Sequence, residues 1–326
     1  MASVCVVGAG AIGGYIGAKL ANAGAEVSLV ARGAHLAAMK RHGVRVIADD
    51  GETVAHPRCT DDPAELGPQD YVIVALKAHS VPGCVEMMQP LLGNDTAIVT
   101  AVNGIPYWYF HRHGGAFADT TLETVDPGGA QWKRLRPERA IGCVVYPATE
   151  VVEPGVIRHV YGDKFPVGEP SGERSERVQR FAALMEAAGL KAPIRDNIRD
   201  EIWLKLWGNL CFNPISALTH ATLDVIAHDP ATRAVARAMM LEAKAIGDKI
   251  GVHFRVDVER RIDGAGGVTG HKTSMLQDLE RHRPMEIDPL VTVVQEMGRL
   301  TGVPTPTLDT VLALVQQRGR VAGLYH

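Results

Sequence analysis

Almost at its first residue the chain reads Ser3-Val-Cys-Val-Val-Gly8-Ala-Gly10-Ala-Ile-Gly13-Gly14. The short apolar run Val4 to Val7 predicts a strand covered on both faces, as in a parallel sheet. Gly8-x-Gly10-x-x-Gly13 follows at once, and each glycine has its own reason. Gly8 permits a tight turn, Gly10 lets a pyrophosphate approach the backbone, and Gly13 lets a helix pack closely on the strand. Ala11 and Ile12 open that helix, which runs to about Ala23, stops at Gly24 and is followed by a strand Glu26 to Val30. Strand, glycines, helix, stop and second strand arrive in the order that dinucleotide binding needs.

Which dinucleotide is read at the end of the second strand. An acid there would hold the ribose hydroxyls of NAD, but the chain has Ala31 followed by Arg32, and Glu26 lies at the wrong end of the strand. Arg32 suits a ribose 2′-phosphate, which favours NADPH/NADP. The plain alternative is a solvated arginine after a strand.

The length, 326 residues, allows two domains with substantial cores. A net charge of −3 argues against a nucleic-acid or anionic-membrane surface, so neither is expected as a partner. No apolar run approaches the ~20 residues that span a bilayer. The chain enters its first strand too early for a signal peptide. Cys5, Cys59, Cys84, Cys143 and Cys211 are scattered without a C-x-x-C, which points to reduced thiols in the cytoplasm. No metal site is expected. His111 and His113 have no further ligand nearby and read as a solvated loop.

Along the chain, His35 to His42 reads as a helix, and Val44 to Ile47 with Thr53 to Ala55 as a hairpin. Tyr71 to Leu76 is a buried strand with Lys77 at its carboxyl end, a helical segment covers Val81 to Leu92, and a strand Ala97 to Val102 ends in Asn103-Gly104. Ligands of open parallel sheets sit beyond the carboxyl ends of strands, which gathers Gly8, Lys77 and Asn103 on one edge. Lys77 and Asn103 also read as polar strand ends in water. Residues 105–140, with Pro106-Tyr-Trp-Tyr-Phe110 and Trp132, are either an insertion packed on the sheet or a pocket wall. Ala140 to Tyr146, Val156 to Val160 and Phe165 to Val167 read as antiparallel strands. A helix Ser175 to Ala188 and a strand Ala192 to Arg195 complete this half.

From Asn197 the pattern becomes one of long amphipathic helices. The fold class is therefore α/β, an N-terminal Rossmann-type parallel-sheet domain (1–196, NADPH-binding) followed by an all-helical C-terminal domain (197–326, substrate and catalysis). Substrate is expected in the cleft between them. In Trp203-Leu-Lys205-Leu-Trp207-Gly-Asn209-Leu-Cys-Phe-Asn213, the spacing of four places Lys205, Asn209 and Asn213 in one stripe beside the tryptophan face. Such polar groups on an apolar helix imply a polar ligand, the alternative being a snorkelling lysine and capping amides. Ala231 to Ile250 is another helix, and Gly264 to Gly270 a flexible link. Ser274 to Gln277 fits a capping box opening a helix to about His282. Asp288 to Gly302 and Leu308 to Arg318 supply two more.

These pieces together resemble the ketopantoate reductase family, the 2-dehydropantoate 2-reductases, over nearly the whole chain. The matching residues are Gly8 to Gly13, Val74-Ala-Leu-Lys77, Asn103-Gly-Ile, Lys205 with Asn209 and Asn213-Pro, Thr273-Ser274-Met-Leu-Gln-Asp, and Glu286-Ile-Asp288. The resemblance implies hydride transfer from NADPH to the 2-oxo carbon of ketopantoate, giving pantoate for pantothenate and coenzyme A synthesis. It makes Lys205 the general acid and Glu286 the group that tunes it and holds a substrate hydroxyl. It gives Asn209, Asn213 and Ser274 substrate orientation, Asn103 contact with cofactor and substrate, and Arg32 and Lys77 cofactor binding. Ser274 also reads as a helix cap and Glu286 as an acid before a helix. A homodimer fits the resemblance, although the residues themselves do not specify one. Two departures stand out: Ala221-Thr-Leu-Asp224 lacks an asparagine that well-known members carry, and the aromatic insertion is longer than in compact members. They keep open a paralogue that reduces another 2-oxo acid, with a non-catalytic NADPH-binding sensor as the alternative of another class.

Overall fold

Residues 2–325 are described by a computed structural model. They form two compact units, 2–121 with 126–198, and 122–125 with 199–325. In chain order the first unit carries β1 (Ser3–Val7), α1 (Ala11–Asn22), β2 (Glu26–Val30), α2 (Gly33–His42), β3 (Val44–Ala48), β4 (Gly51–Ala55), β5 (Arg58–Thr60) and β6 (Gln69–Val74). It continues with α3 (Val85–Met88), β7 (Leu92–Thr100), α4 (Ala130–Arg134), β8 (Ala140–Cys143), β9 (Ala148–Glu153), β10 (Val156–Tyr161), β11 (Val167–Gly168) and α5 (Glu176–Ala187).

The apolar runs become the centre of a seven-stranded sheet of order β11-β8-β7-β6-β1-β2-β5. All neighbours are parallel except β11 against β8. Connections leave β1 first toward β2 and later return to its other side as β6, so the strand order reverses at β1 and opens a crevice beyond its carboxyl end. The hairpin β3–β4 joins β9 and β10 in a second sheet, β4-β3-β10-β9. Helix α1 touches strands of both sheets. A Cβ on its Gly14 would overlap the Ile157 side chain of β10. Small residues let this helix be covered on two sides.

Several expectations for this unit change. Strand β8 is not antiparallel to its inner neighbour; it extends the parallel sheet along β7, and only β11 reverses. Strand β9, Ala148–Glu153, is additional to the expected strands; it is the edge of the second sheet and pairs only with β10, the strand that follows it. The segment Val81 to Leu92 is a chain of short turns around α3, since Pro82, Gly83 and Pro90 interrupt helical hydrogen bonding. Ala192 to Arg195 makes one isolated bridge, Val167 with Ile194. The aromatic insertion is core: Tyr107, Trp108, Tyr109 and Phe110 are buried, and the Trp108 indole N–H donates to Thr100 Oγ1 at 2.9 Å.

The second unit consists of α6 (Ile198–Thr219), α7 (Leu223–His228), α8 (Pro230–Lys249), α9 (Val258–Gly266), α10 (Ser274–Glu280), α11 (Val293–Thr301) and α12 (Pro306–Val321), with a π-helical turn Asp288–Thr292 before α11. Helix α6 is held by its tryptophans. Trp203 and Trp207 are fully buried around Phe254, and the Trp207 indole donates to the Met240 carbonyl of α8 at 2.7 Å. Glu242 of α8 accepts from the N–H groups of Thr307 and Leu308 and so caps α12. Glu296 of α11 accepts from those of Glu123 and Thr124, which ties residues 122–125 into this unit. The expected flexible link shrinks, because Gly264, Ala265 and Gly266 are the last residues of α9, whose first turn is capped by Asp257.

Candidate active site

In the first unit the glycine turn lies beyond β1, with Arg32, Lys77 and Asn103 beyond β2, β6 and β7. Gly8 has φ +94°, and a Cβ there would meet Leu76 Cδ2 at 2.7 Å. A Cβ on Gly13 would overlap the Gly8 carbonyl oxygen and stand 3.0 Å from the Ala75 Cβ. Gly10 differs: nothing lies within 4 Å of the place its Cβ would take. That open volume faces the N-terminus of α1, where no side chain caps the helix and no acid stands in the first turn. Unclaimed backbone N–H donors at a helix start are a phosphate site. A dinucleotide's pyrophosphate fits these residues.

The other residues expected to bind cofactor lie at strand ends. Arg32 is exposed at the N-cap position of α2, and its charge reaches Cys84, whose thiol is pushed up by burial and drawn back by the guanidinium. Lys77 is exposed where β6 gives way to a 3-10 turn, and Asn103 is half-buried beside Gly104, at φ +85°. One residue here escaped sequence reasoning. His35 accepts the Gly155 N–H at Nδ1, 2.9 Å, so its Nε2–H donates to the Ala9 carbonyl at 2.7 Å and pins the glycine turn. Its only sequence signal was a polar residue in the first turn after Arg32.

In the second unit the continuity of α6 puts Lys205, Asn209 and Asn213 on one face. Lys205 and Asn209 are half-buried and Asn213 is buried. The Asn213 amide donates to Ser274 Oγ at 3.4 Å, bringing together two residues 61 positions apart. Ser274 is not the helix cap. Thr273 is, accepting the Leu276 N–H at 3.3 Å, while Gln277 turns back to the Lys272 carbonyl. The expected capping box is shifted by one residue, and the shift leaves the Ser274 hydroxyl exposed at the first helical position. Glu286 is buried at 3% exposure, two residues before the π-helical turn.

Two family models cover most of the chain, "Ketopantoate reductase PanE/ApbA" over residues 4–172 and "Ketopantoate reductase PanE/ApbA C terminal" over 197–319. The chain belongs to the ketopantoate reductase family. A 2-dehydropantoate 2-reductase of Mesorhizobium japonicum is 59% identical over 323 residues, 99% of each chain. A crystal structure from Ralstonia solanacearum MolK2, classed with the ketopantoate reductases, is 43% identical and superposes with a TM-score of 0.95 over all of both chains. A dimeric ketopantoate reductase from Staphylococcus aureus, 20% identical, shares the fold with a TM-score of 0.76 over 98% of this chain and all of that one. A parallel-sheet unit precedes a helical one here, in the order of the two family models.

Proposed function

We infer that this protein is an oxidoreductase that reduces 2-dehydropantoate (ketopantoate) to pantoate with NADPH, a step of pantothenate and coenzyme A synthesis. The observation that carries this reading is the face of α6, where Lys205 stands in line with Asn209 and Asn213 on a helix otherwise sunk in apolar core. Full-length identity of 59% to a 2-dehydropantoate 2-reductase supports it.

Gly8, Gly10, Ala11, Ile12 and Gly13 hold the pyrophosphate, Arg32 and Lys77 the remaining phosphate charge, and Asn103 the nicotinamide side. NADPH supplies the hydride when bound. Lys205 donates a proton from its ammonium to the carbonyl oxygen as that oxygen gains electron density, and leaves the step as a neutral amine. Glu286, buried, orients Lys205 and accepts from the substrate hydroxyl. Asn209, Asn213 and Ser274 fix the oxo acid so that one face of its carbonyl is presented. We place the enzyme in the cytoplasm, because all five cysteines are free thiols, as a reducing compartment keeps them. No described helix is long and apolar enough to cross a membrane. The proposal includes a homodimer, the state named for the Staphylococcus aureus enzyme.

The test is NADPH oxidation against a panel of 2-oxo acids, wild type beside Lys205→Ala. Ketopantoate should be the best substrate, and the variant should lose about 10²–10⁴-fold in kcat with NADPH affinity nearly intact. Turnover of other oxo acids but not ketopantoate would assign a paralogue. Tight NADPH binding without any turnover would leave a sensor.

A further inference from the structure

Both peptide groups of Ala9, inside the glycine turn, are held by the chain around the end of β2. The Ala9 N–H donates to the Val30 carbonyl at 3.1 Å, and the Ala9 carbonyl accepts from His35 Nε2 at 2.7 Å. Among the described residues no backbone N–H donates to that oxygen, so the imidazole is its partner. The ring is itself fixed at its other nitrogen. Gly155, in the turn between β9 and β10, donates its N–H to Nδ1 at 2.9 Å, and its carbonyl accepts the Arg45 N–H of β3 at 2.9 Å. A Cβ on Gly155, which has φ +81°, would stand 3.1 Å from the Ala38 Cβ of α2. The second sheet thus comes close enough to α2 to hold the imidazole in one orientation.

This bond decides how the next peptide is turned. In a trans peptide the C=O and the following N–H point in opposite directions, so a carbonyl turned toward His35 aims the Gly10 N–H away from it. Gly10 is the residue with nothing within 4 Å of its Cβ position, the open volume that fits a pyrophosphate. Its φ is −75° in the structure, but a glycine tolerates either sign of φ, so the Ala9–Gly10 peptide can turn over unless something holds it. Turned over, it would present a carbonyl oxygen where a donor is needed, and an anion is repelled by that oxygen's partial charge.

We propose that His35 is a positioning residue for the cofactor, acting through the turn rather than on the dinucleotide. It sets affinity by locking the Ala9–Gly10 peptide with its N–H toward the pyrophosphate. The start of α2 then serves two parts of one ligand, Arg32 at the N-cap for the ribose phosphate and His35 in the first turn for the peptide beneath the pyrophosphate. The second sheet acquires a task as well, since Gly155 keeps the ring aimed. This assignment rests on the reading of the glycine turn as the pyrophosphate site.

The experiment uses His35→Asn, His35→Gln and His35→Ala in the full-length chain. Asparagine places an oxygen where Nδ1 was, which keeps the Gly155 bond but falls short of Ala9. Glutamine places an amide N–H where Nε2 was, which keeps the Ala9 bond and gives up Gly155. Affinity is measured by fluorescence titration for NADPH and by competition for adenosine 2′-monophosphate, which has the ribose phosphate and no pyrophosphate. His35→Asn and His35→Ala should bind NADPH about tenfold more weakly, the scale of one lost hydrogen bond, and adenosine 2′-monophosphate within about twofold of wild type. His35→Gln should stay within about threefold on both ligands. His35→Asn should melt within about 2 °C of wild type, and in turnover its loss should fall on KM for NADPH and leave kcat within about twofold. Normal NADPH affinity in His35→Asn and His35→Ala, an equal loss on adenosine 2′-monophosphate, or His35→Gln as weak as His35→Asn would overturn the assignment, while NADPH binding by the wild type left the cofactor reading standing. A wild type that binds no NADPH would overturn both.

Discussion

At the scale of single residues, the proposed choice of NADPH over NADH turns on Arg32. It is exposed, placed at the end of β2 and followed directly by α2, so the guanidinium is carried by two fixed elements. A hydrogen bond to a charged group contributes about 1.5–3 kcal/mol, and each 1.4 kcal/mol is tenfold in affinity. Arg32→Ala should therefore weaken NADPH roughly 10- to 100-fold in a fluorescence titration and NADH less than about twofold. Equal losses for both would remove Arg32 from the 2′-phosphate. Arg32 could be proposed from the sequence because strand ends of this fold have a known task, and Ala31 stands where the acid would be. His35 could not, since its partners Ala9 and Gly155 are 26 and 120 residues away and neither contact leaves a local pattern.

Between Gly10 and Gly13 the element α1 separates binding from folding. At Gly13 a methyl group would collide with the Gly8 backbone, which has nowhere to move because the Gly8 and Ala9 N–H groups are bonded to the Val30 carbonyl at 3.2 and 3.1 Å. At Gly10 the same methyl group meets no protein atom. Gly13→Ala should lower the melting temperature by several degrees, a loss on the order of 1–3 kcal/mol for an overpacked site. Gly10→Ala should melt like the wild type but bind NADPH at least tenfold more weakly. If both variants melted normally and bound normally, the cradle would be misplaced. Elements of this kind were readable wherever one local rule acted alone: continuous apolar runs gave β1, β2, β6 and β7. Misreadings fell where tertiary contacts outweighed propensity. Gly266 looked like a linker, yet it is helical because a Cβ there would already touch Ala227 and His228 at 3.2 Å, the close approach of α9 to α7. Likewise, the insertion's aromatic run admitted two readings, and only the contact of Trp108 with Thr100 decides between them.

For the whole molecule, alkaline pH offers a readout of burial in each unit, because each contains a thiol with no exposed surface. Cys5 lies in β1 of the first unit and Cys211 in α6 of the second, and burial raises both from 9.0 to about 12. In the unfolded chain these thiols ionise above about pH 9, while in the folded protein they keep their protons. The folded state thus binds more protons in that window, and stability must fall as pH rises. The contribution is fully present below pH 9 and is lost progressively up to about 12. At pH 10 each thiol lowers stability by about 1.4 kcal/mol relative to pH 8. Lysine and tyrosine titrations overlap this range, so the informative quantity is the difference between wild type and Cys5→Ala or Cys211→Ala at each pH. Removing a buried thiol destabilises at neutral pH, and that deficit should narrow by about 1.4 kcal/mol between pH 8 and pH 10 in urea unfolding. Cys5→Ala and Cys211→Ala should each narrow it. A deficit independent of pH would mean that the thiols ionise alike in folded and unfolded chains.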